Sequence, residues 1–205
     1  MNIKELLDFK GRKLNKMVGN LLNISSHPKT LEKFVRLQNE ISIEHDSKVV
    51  VITSVGEDKL AAAFAKALAD AYVANSSSAL IIDANLYNPE LAGLLGASEP
   101  NGDIKTVSFN DKSGYIPMKK ETYPSNIYKA GTVQKLIEEN KDKYEHILVL
   151  MPSIKEHKEV VLLKDALDSV VLVTRRNVSK KGDIYNSLAF LVEEKIPVSM
   201  TPVLG

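Results

Sequence analysis

The short stretch SVGEDKL has residue types that could bind a phosphate group. Ser54, Gly56 and Lys59 follow an apolar run. In that position a glycine lets backbone N–H groups approach phosphate oxygens, and a lysine supplies positive charge. A phosphate loop usually has a glycine before the lysine and a Ser or Thr for Mg²⁺ after it, but here these positions hold Asp58 and Leu60. Taken alone, the stretch is a weak signal that an ordinary turn between a strand and a helix explains equally well.

Few other residues add a candidate chemistry. Asp83 ends a second apolar run, where it could act at a ligand site or simply cap the strand end. The four histidines show no metal-ligand spacing. Four basic residues could line the edge of the site at the strand ends or form a solvated face. They are Arg175, Arg176, Lys180 and Lys181. No aromatic residues alternate with these charges, so we do not expect nucleic-acid binding.

Composition narrows the class of protein. The 205 residues suffice for one domain with a core, and the net charge of +1 favours neither nucleic acid nor membrane. The absence of cysteine excludes disulfides and thiolate metal sites. No apolar run reaches the roughly 18 residues of a membrane span, and the N-terminus has no signal-peptide pattern. We therefore expect a cytoplasmic protein.

The elements that would position these residues alternate along the chain. Short runs of branched apolar residues predict buried parallel strands, with helices on both faces of the sheet. The predicted strands are Val49–Ile52, Ala79–Ile82, Ile147–Met151, Val170–Val173 and Val198–Val203. The predicted helices are Leu60–Val73, Val133–Lys141, Lys158–Leu167 and Lys181–Glu194. Residues 97–125 are polar and predicted to be irregular. The fold class is therefore α/β, a three-layer sandwich around a mostly parallel sheet.

The N-terminus differs in composition from the remainder. Residues 1–23 place apolar side chains at helical spacing, and five basic against two acidic residues give them a net charge of +3. Such a segment could dock on an anionic membrane or a partner, or pack on its own domain with solvated lysines. We predict an N-terminal amphipathic segment and linker over residues 1–27, followed by an α/β domain over residues 28–205.

Four sequence blocks carry a family resemblance when they are taken in order and spacing. They are LEKFVRLQNEI, VVVITSVGEDKL, ALIIDANLYNPEL and KYEHILVLMPSI. Over residues 28–205 the chain resembles the bacterial tyrosine kinases of capsule and exopolysaccharide synthesis, a branch of the P-loop NTPases that includes the MinD/ParA ATPases. The resemblance implies a P-loop NTPase-like fold. It also makes Ser54, Gly56 and Lys59 a vestigial phosphate loop and Asp83 a vestigial catalytic acid.

The chain departs from the family pattern at the positions whose side chains bind or position Mg²⁺ in the family. The Ser/Thr after the lysine is Leu60, the second acid of the second block is Asn85, and the acid of the third block is Leu150. The arginine of the second block is Tyr87, and the phosphate loop is about two residues shorter than the family pattern. Phosphoryl transfer relies on metal-assisted charge neutralisation, so these losses predict an inactive enzyme with no metal site.

The helix that such kinases use in ring assembly is also altered. Its pattern is Glu-x-x-Arg-x-x-Arg, and here only Glu32 matches, because Val35 and Gln38 occupy the arginine positions. Arg36 lies one residue out of phase, about 100° around the helix. A ring is therefore not expected, although another homo-oligomer stays open.

By resemblance, the chain would be a pseudokinase that binds or regulates within capsule or exopolysaccharide biosynthesis and export. Its partner would be a membrane-bound polysaccharide chain-length regulator or an active kinase of the family, met at the inner face of the membrane. No cofactor is expected; ATP and Mg²⁺ would be the cofactors of a working site. Two alternatives remain: an ATP-binding tyrosine kinase or ATPase with atypical motifs, and a MinD/ParA-like positioning protein with residues 1–23 as its membrane foot.

Overall fold

A central sheet of eight strands organises the chain. The computed structural model describes residues 3–44, 47–96 and 106–205. The strands are β1 Val49–Ser54, β2 Ala79–Asp83, β3 Val107–Asn110, β4 Ser113–Pro117, β5 His146–Leu150, β6 Ser169–Arg175, β7 Val198–Met200 and β8 Val203–Leu204. Their order is β3-β4-β2-β5-β1-β6-β7, with β8 also paired to β6. Every pair is parallel except β3 with β4, so the predicted mostly parallel α/β sheet is confirmed.

Helices cover both faces of this sheet. They are α1 Ile3–Leu22, α2 Pro28–Asn39, α3 Asp58–Ala74, α4 Leu91–Leu94, α5 Pro124–Lys129, α6 Thr132–Asn140 and α7 Lys181–Glu193. Successive residues of a strand point to opposite faces, so Val50 and Ile52 pack towards α3 while Val49 and Val51 pack towards the side that holds α5, α6 and α7. The core is therefore two apolar layers, one on each face of the sheet.

The alanine-rich helix α3 is buried on nearly all sides. It lies between the sheet and a further layer formed by α1 and α2, and its alanines from Ala61 to Ala71 are at most 1 % exposed. A helix that is apolar all round belongs in a protein interior. Val18 and Leu21 of α1 are buried in the same cluster, so the C-terminal half of α1 packs on the domain.

Two features of residues 1–44 bear on the N-terminal predictions. The side chains of residues 1–12 lie outside the described part of the chain, and a membrane role for residues 1–23 stays a prediction. The stretch predicted as a linker forms a short 3₁₀ helix, Ile24–Ser26, and α2 begins at Pro28. Among the described helices, none combines the length and apolar character needed to cross a bilayer.

The prediction of an irregular segment over residues 97–125 is wrong for residues 107–117, which contain β3 and β4, and its part over residues 97–105 lies outside the described residues. Glycine and proline are both rare inside strands, so Gly114 and Pro117 conceal β4 in the sequence. A Cβ atom at Gly114 would come within 2.6 Å of the Tyr144 hydroxyl and 2.9 Å of a Thr106 methyl group. This strand therefore carries a glycine because its neighbours leave no room for a side chain.

Two further predicted elements differ from the structure. Instead of an α-helix over Lys158–Leu167, the chain forms a 3₁₀ helix over Glu159–Leu163. The buried Val160 and Leu163 are three residues apart, which suits a helix of three residues per turn. The predicted last strand is divided into β7 and β8, and the carbonyl of the intervening Pro202 accepts hydrogen bonds from the backbone and hydroxyl of Thr174.

Candidate functional site

The loop between β1 and α3 lies at the carboxyl edge of the sheet. The ends of β2, β5 and β6 meet at the same edge, because β5 pairs with both β1 and β2 and β6 pairs with β1. Ligands of open α/β sheets bind at this edge. The structure thus places Ser54, Gly56 and Asp83 in the region that the sequence indicated.

Backbone donors of the loop are bound by the protein itself. The Gly56 N–H donates to Ser153 Oγ at 2.9 Å, and the Glu57 N–H donates to Ser54 Oγ at 3.0 Å. Gly56 has a φ of 81°, in the left-handed region that favours glycine. In a working phosphate loop such N–H groups bind phosphate oxygens, whereas here side-chain hydroxyls accept these hydrogen bonds.

The carboxylate of Asp58 ties the loop to the neighbouring chain segment. It accepts a hydrogen bond from Ser54 Oγ at 3.0 Å and another from Asn85 Nδ2 at 3.1 Å. Ser54 is 0 % exposed and Asn85 1 %, so both donors depend on partners within the protein. An anion from solution would have to compete with a carboxylate that is already hydrogen-bonded in place.

A second carboxylate fixes the loop from the other side. Glu57 forms an ion pair of 3.1 Å with Arg175 at the end of β6, with side chains only 12 % and 7 % exposed respectively. The backbone N–H of Arg175 donates to Ser179 Oγ. Arg175 therefore belongs to the interior of the site rather than to a solvated basic rim, and its charge faces a carboxylate of the loop.

The lysine expected at the phosphate makes a different contact. Lys59 Nζ donates to Asn15 Oδ1 at 3.3 Å, and Asn15 belongs to α1. The side chain is half-exposed. The structure therefore does not bring Lys59 together with the loop hydroxyls; it places this amine against the N-terminal helix.

Asp83 is buried and shapes the loop after β2. It is 1 % exposed, and its carboxylate accepts hydrogen bonds of 3.3 Å from the N–H groups of Asn85 and Leu91. Burial raises the pKa of Asp83 to about 7, and the nearby Glu90 and Asp58 carboxylates act in the same direction. This geometry is that of a strand-end cap, which the sequence left open beside a catalytic role.

The positions at which metal ligands would be expected contain apolar side chains in the core. Leu60 is 0 % exposed and Leu150 1 %, and both belong to the layer around α3. Asn85, at the position of the second acid, donates to Asp58 rather than supplying a charge. Within the described residues, no group of three or more acidic or histidine side chains is placed to hold a metal ion.

Comparison with known proteins decides the fold family. No protein-family model and no curated protein sequence matches the chain. The kinase domain of the Escherichia coli tyrosine kinase ETK is 17 % identical, with 82 % of this chain and 71 % of that one covered, at a TM-score of 0.73. The chimerical protein CapA2B2 is 18 % identical, with 90 % and 89 % covered, at a TM-score of 0.79. The chain has the fold of bacterial tyrosine kinase domains.

A more distant likeness shows that a ParA-type ATPase shares this fold. A ParA family ATPase from Chlorobium tepidum is 17 % identical, with 76 % of this chain and 72 % of that one covered, at a TM-score of 0.58. The resemblance inferred from the four sequence blocks is thus confirmed at the level of the fold, and so is the P-loop NTPase-like α/β class.

A second cluster of polar and aromatic side chains lies at the carboxyl edge of the sheet and was not predicted from the sequence. Tyr87 replaces the arginine of the kinase pattern; its ring stacks on His157 with centroids 3.6 Å apart, and its hydroxyl donates to Glu159. Ser125 Oγ donates to the same carboxylate at 3.0 Å. These residues, with Lys129, line an open cleft of about 410 Å³. They come from distant parts of the chain, and no spacing in the sequence links them.

Proposed function

We propose that this chain is a non-catalytic, kinase-like binding protein. The observation that carries the proposal is the closure of the loop after β1. The Gly56 N–H is bound by Ser153 Oγ, the Glu57 N–H by Ser54 Oγ, and Ser54 Oγ in turn donates to Asp58, while Glu57 is paired with Arg175. A nucleotide would have to break these contacts and also face two carboxylates at the position of its phosphates.

The groups that would neutralise a bound triphosphate are engaged elsewhere or missing, which also supports a non-catalytic role. Nucleotide-binding P-loops neutralise the triphosphate with backbone donors, a lysine and a bound Mg²⁺. Here Gly56 N–H is engaged by Ser153, Lys59 contacts α1, and Leu60 and Leu150 offer no oxygen to a metal. Metal assistance supplies several kcal/mol to phosphoryl transfer, and each loss of about 1.4 kcal/mol lowers the rate tenfold. We therefore infer that turnover of ATP is absent and that affinity for it is weak.

The biological setting is proposed from the fold. Likeness to kinase domains such as that of ETK, together with the four sequence blocks, supports a role in the assembly or export of capsule or exopolysaccharide. A cytoplasmic partner surface, either a membrane-bound chain-length regulator or an active kinase of this fold, would be the binding target. The net charge of +3 over residues 1–23, five basic against two acidic residues, suits peripheral contact with an anionic membrane.

Nucleotide binding tests the central part of the proposal. Isothermal titration and thermal unfolding with millimolar ATP and Mg²⁺ should show neither heat nor a shift of the melting temperature, and autophosphorylation should be absent. A micromolar dissociation constant that is lost in the Lys59→Ala variant would instead support the enzyme alternative. Lys66→Ala, which removes a lysine paired with Asp70 on the same helix, serves as the matched control.

A restoring design separates the closed loop from the missing metal ligands. Asp58→Gly alone removes the competing carboxylate and leaves the positions of the missing metal ligands, Leu60, Asn85 and Leu150, unchanged. Recovery of millimolar or tighter ATP binding would show that self-occupation of the loop is what excludes nucleotide. No recovery in a folded variant would assign the exclusion to the loop's length and to Leu60 and Leu150.

Membrane contact needs its own test. Sedimentation with vesicles of anionic phospholipid should recover wild-type protein, and Lys13→Glu with Lys16→Glu should reduce the recovered fraction because both lysines are exposed on α1. The control is Lys119→Glu with Lys120→Glu, an equal charge change at exposed positions elsewhere. Equal loss in both variants would show that only overall charge acts and would remove α1 as a membrane element.

A further inference from the structure

Helix α7 presents an apolar stripe to solvent. Its inner face, with Ser187 and Leu191, is buried against the sheet. On the opposite side Tyr185 is 73 % exposed and Val192 71 %, which makes them two of the most exposed large apolar side chains described. Gly182 and Ala189 complete the stripe. The spacing 182, 185, 189, 192 is the alternating three-and-four repeat of a helix that packs against another helix.

Large and small residues alternate along this stripe in a self-complementary way. The midpoint between Gly182 and Val192 is position 187, and so is the midpoint between Tyr185 and Ala189. A two-fold axis that crosses α7 at position 187 would pair it with an antiparallel copy of itself. Both large side chains, Tyr185 and Val192, would then lie at the heights of the small residues Ala189 and Gly182 of the second copy. A single symmetry operation thus satisfies every position of the stripe, as an isologous interface requires.

The glycine in this stripe has no explanation within one chain. A Cβ atom at Gly182 would meet no atom within 4 Å, and its φ is not positive. Glycine weakens a helix relative to alanine, so neither packing nor backbone conformation of the single chain accounts for it. Close approach of a second helix would account for it, because small residues let helix backbones come together.

Charges at the two ends of α7 point to the same arrangement. Lys180 and Lys181 stand at its N-terminus, and Glu193 and Glu194 stand at its C-terminus. Each pair is unfavourable for the dipole of its own helix, which prefers the reverse. Asp183 does not offset the lysines outward, because it forms an ion pair of 3.3 Å with Lys155. Antiparallel pairing would bring each basic end beside an acidic end, and Lys195 only partly offsets the latter.

We propose that a second copy of this chain docks on α7, forming a two-fold homodimer through antiparallel α7 helices. The helix has 13 residues, which is about 20 Å of length, so the contact is smaller than the roughly 800 Å² per partner of a standard interface. The dimer is therefore weak and concentration-dependent. The proposal is independent of nucleotide binding and specifies the homo-oligomer that the altered ring helix left open.

Sedimentation velocity over a concentration series tests the dimer. Wild-type protein should shift from monomer to dimer as concentration rises to the millimolar range, and Tyr185→Glu should remain monomeric. Tyr123→Glu is the matched control, because Tyr123 is also 73 % exposed but lies outside α7. A wild-type protein that stays monomeric throughout, or equal behaviour of the two tyrosine variants, would overturn the proposal.

Two more variants test the antiparallel geometry. Gly182→Leu fills space that is open in the monomer, so the fold should persist while dimerisation is lost. Asn186 lies next to the proposed axis, and the chain has no cysteine, so Asn186→Cys supplies a single thiol that should form disulfide-linked dimers on mild oxidation. Tyr123→Cys should form few. Dimerisation that survives in Gly182→Leu, or equal crosslinking by both thiols, would reject this geometry.

Discussion

Removal of the Asp58 carboxylate is the sharpest test of the closed loop. The Asp58→Ala variant leaves Ser54 Oγ and Asn85 Nδ2 without the acceptor that now binds both, at 3.0 and 3.1 Å. These residues are 0 % and 1 % exposed, and a buried donor without an acceptor costs about 1–3 kcal/mol. Water can enter beside the half-exposed Asp58, so we expect a total loss of about 2–4 kcal/mol in the free energy of unfolding. The melting temperature of a chain of this size would fall by about 5–15 °C.

Urea unfolding measures this loss, and two variants calibrate it. Asp142→Ala removes an aspartate that is exposed after α6, and it should change stability by no more than about 0.5 kcal/mol. A double-mutant cycle with Ser54→Ala should give a coupling energy near 1 kcal/mol for the hydroxyl–carboxylate pair. Equal stability of the Asp58→Ala and Asp142→Ala variants would refute the view that the loop is closed by its own side chains.

Three further predictions concern groups around the site. Leu21→Ala removes a side chain that is 5 % exposed between α1 and α3; urea unfolding should show a loss of about 2–4 kcal/mol, and a loss below 1 kcal/mol would mean that α1 is only loosely attached. Glu57→Gln removes the carboxylate of the buried ion pair with Arg175 and should lower the free energy of unfolding by about 3 kcal/mol, part of which Arg175→Met should restore in the double variant. Because burial raises the pKa of Asp83 to about 7, the folded chain holds a proton there that the unfolded chain releases near pH 4. The stabilisation from that proton is complete below about pH 4 and is lost as pH rises through about 7. Asp83→Asn should therefore gain stability relative to wild type as pH rises from about 4 to about 7 and should keep that gain above pH 7, and a pH-independent difference would contradict this.

The sheet was predictable because its strands are buried on both faces and read as continuous apolar runs. Every residue of Val49–Ser54 and Ser169–Arg175 is buried, and the apolar runs Val49–Ile52 and Val170–Val173 lie within them. β4 was hidden because its composition reflects a neighbour: Gly114 is dictated by the Tyr144 hydroxyl, which belongs to a distant segment. The 3₁₀ helix after β5 was equally hidden, since a repeat of three residues differs little from an α-helical repeat over so short a stretch.

The candidate site, like the fold, was predicted from the sequence only in part. Its position at the carboxyl edge follows from strand order, and the substitutions at Asp58, Leu60 and Leu150 are visible in the sequence. What those residues do is decided by contacts between segments far apart. The sequence showed only that Asp58 stands where a phosphate loop usually has a glycine, whereas the structure shows a carboxylate that accepts hydrogen bonds from two donors. The contact of Lys59 with α1 likewise required the N-terminal helix to be placed.

The closed loop also bears on how the folded chain responds to its surroundings. A protein that binds a ligand only when folded gains stability with the logarithm of the ligand concentration, so the folded fraction of an ordinary nucleotide-binding protein rises and falls with the supply of nucleotide. In this chain the Asp58 carboxylate takes the hydrogen bonds of the loop. Because it is part of the chain, its binding does not depend on the concentration of any ligand. On our proposal, the abundance of the folded chain would be the same in an energy-depleted cell as in a growing one. That property suits a non-catalytic binding protein, which acts through its concentration rather than through turnover.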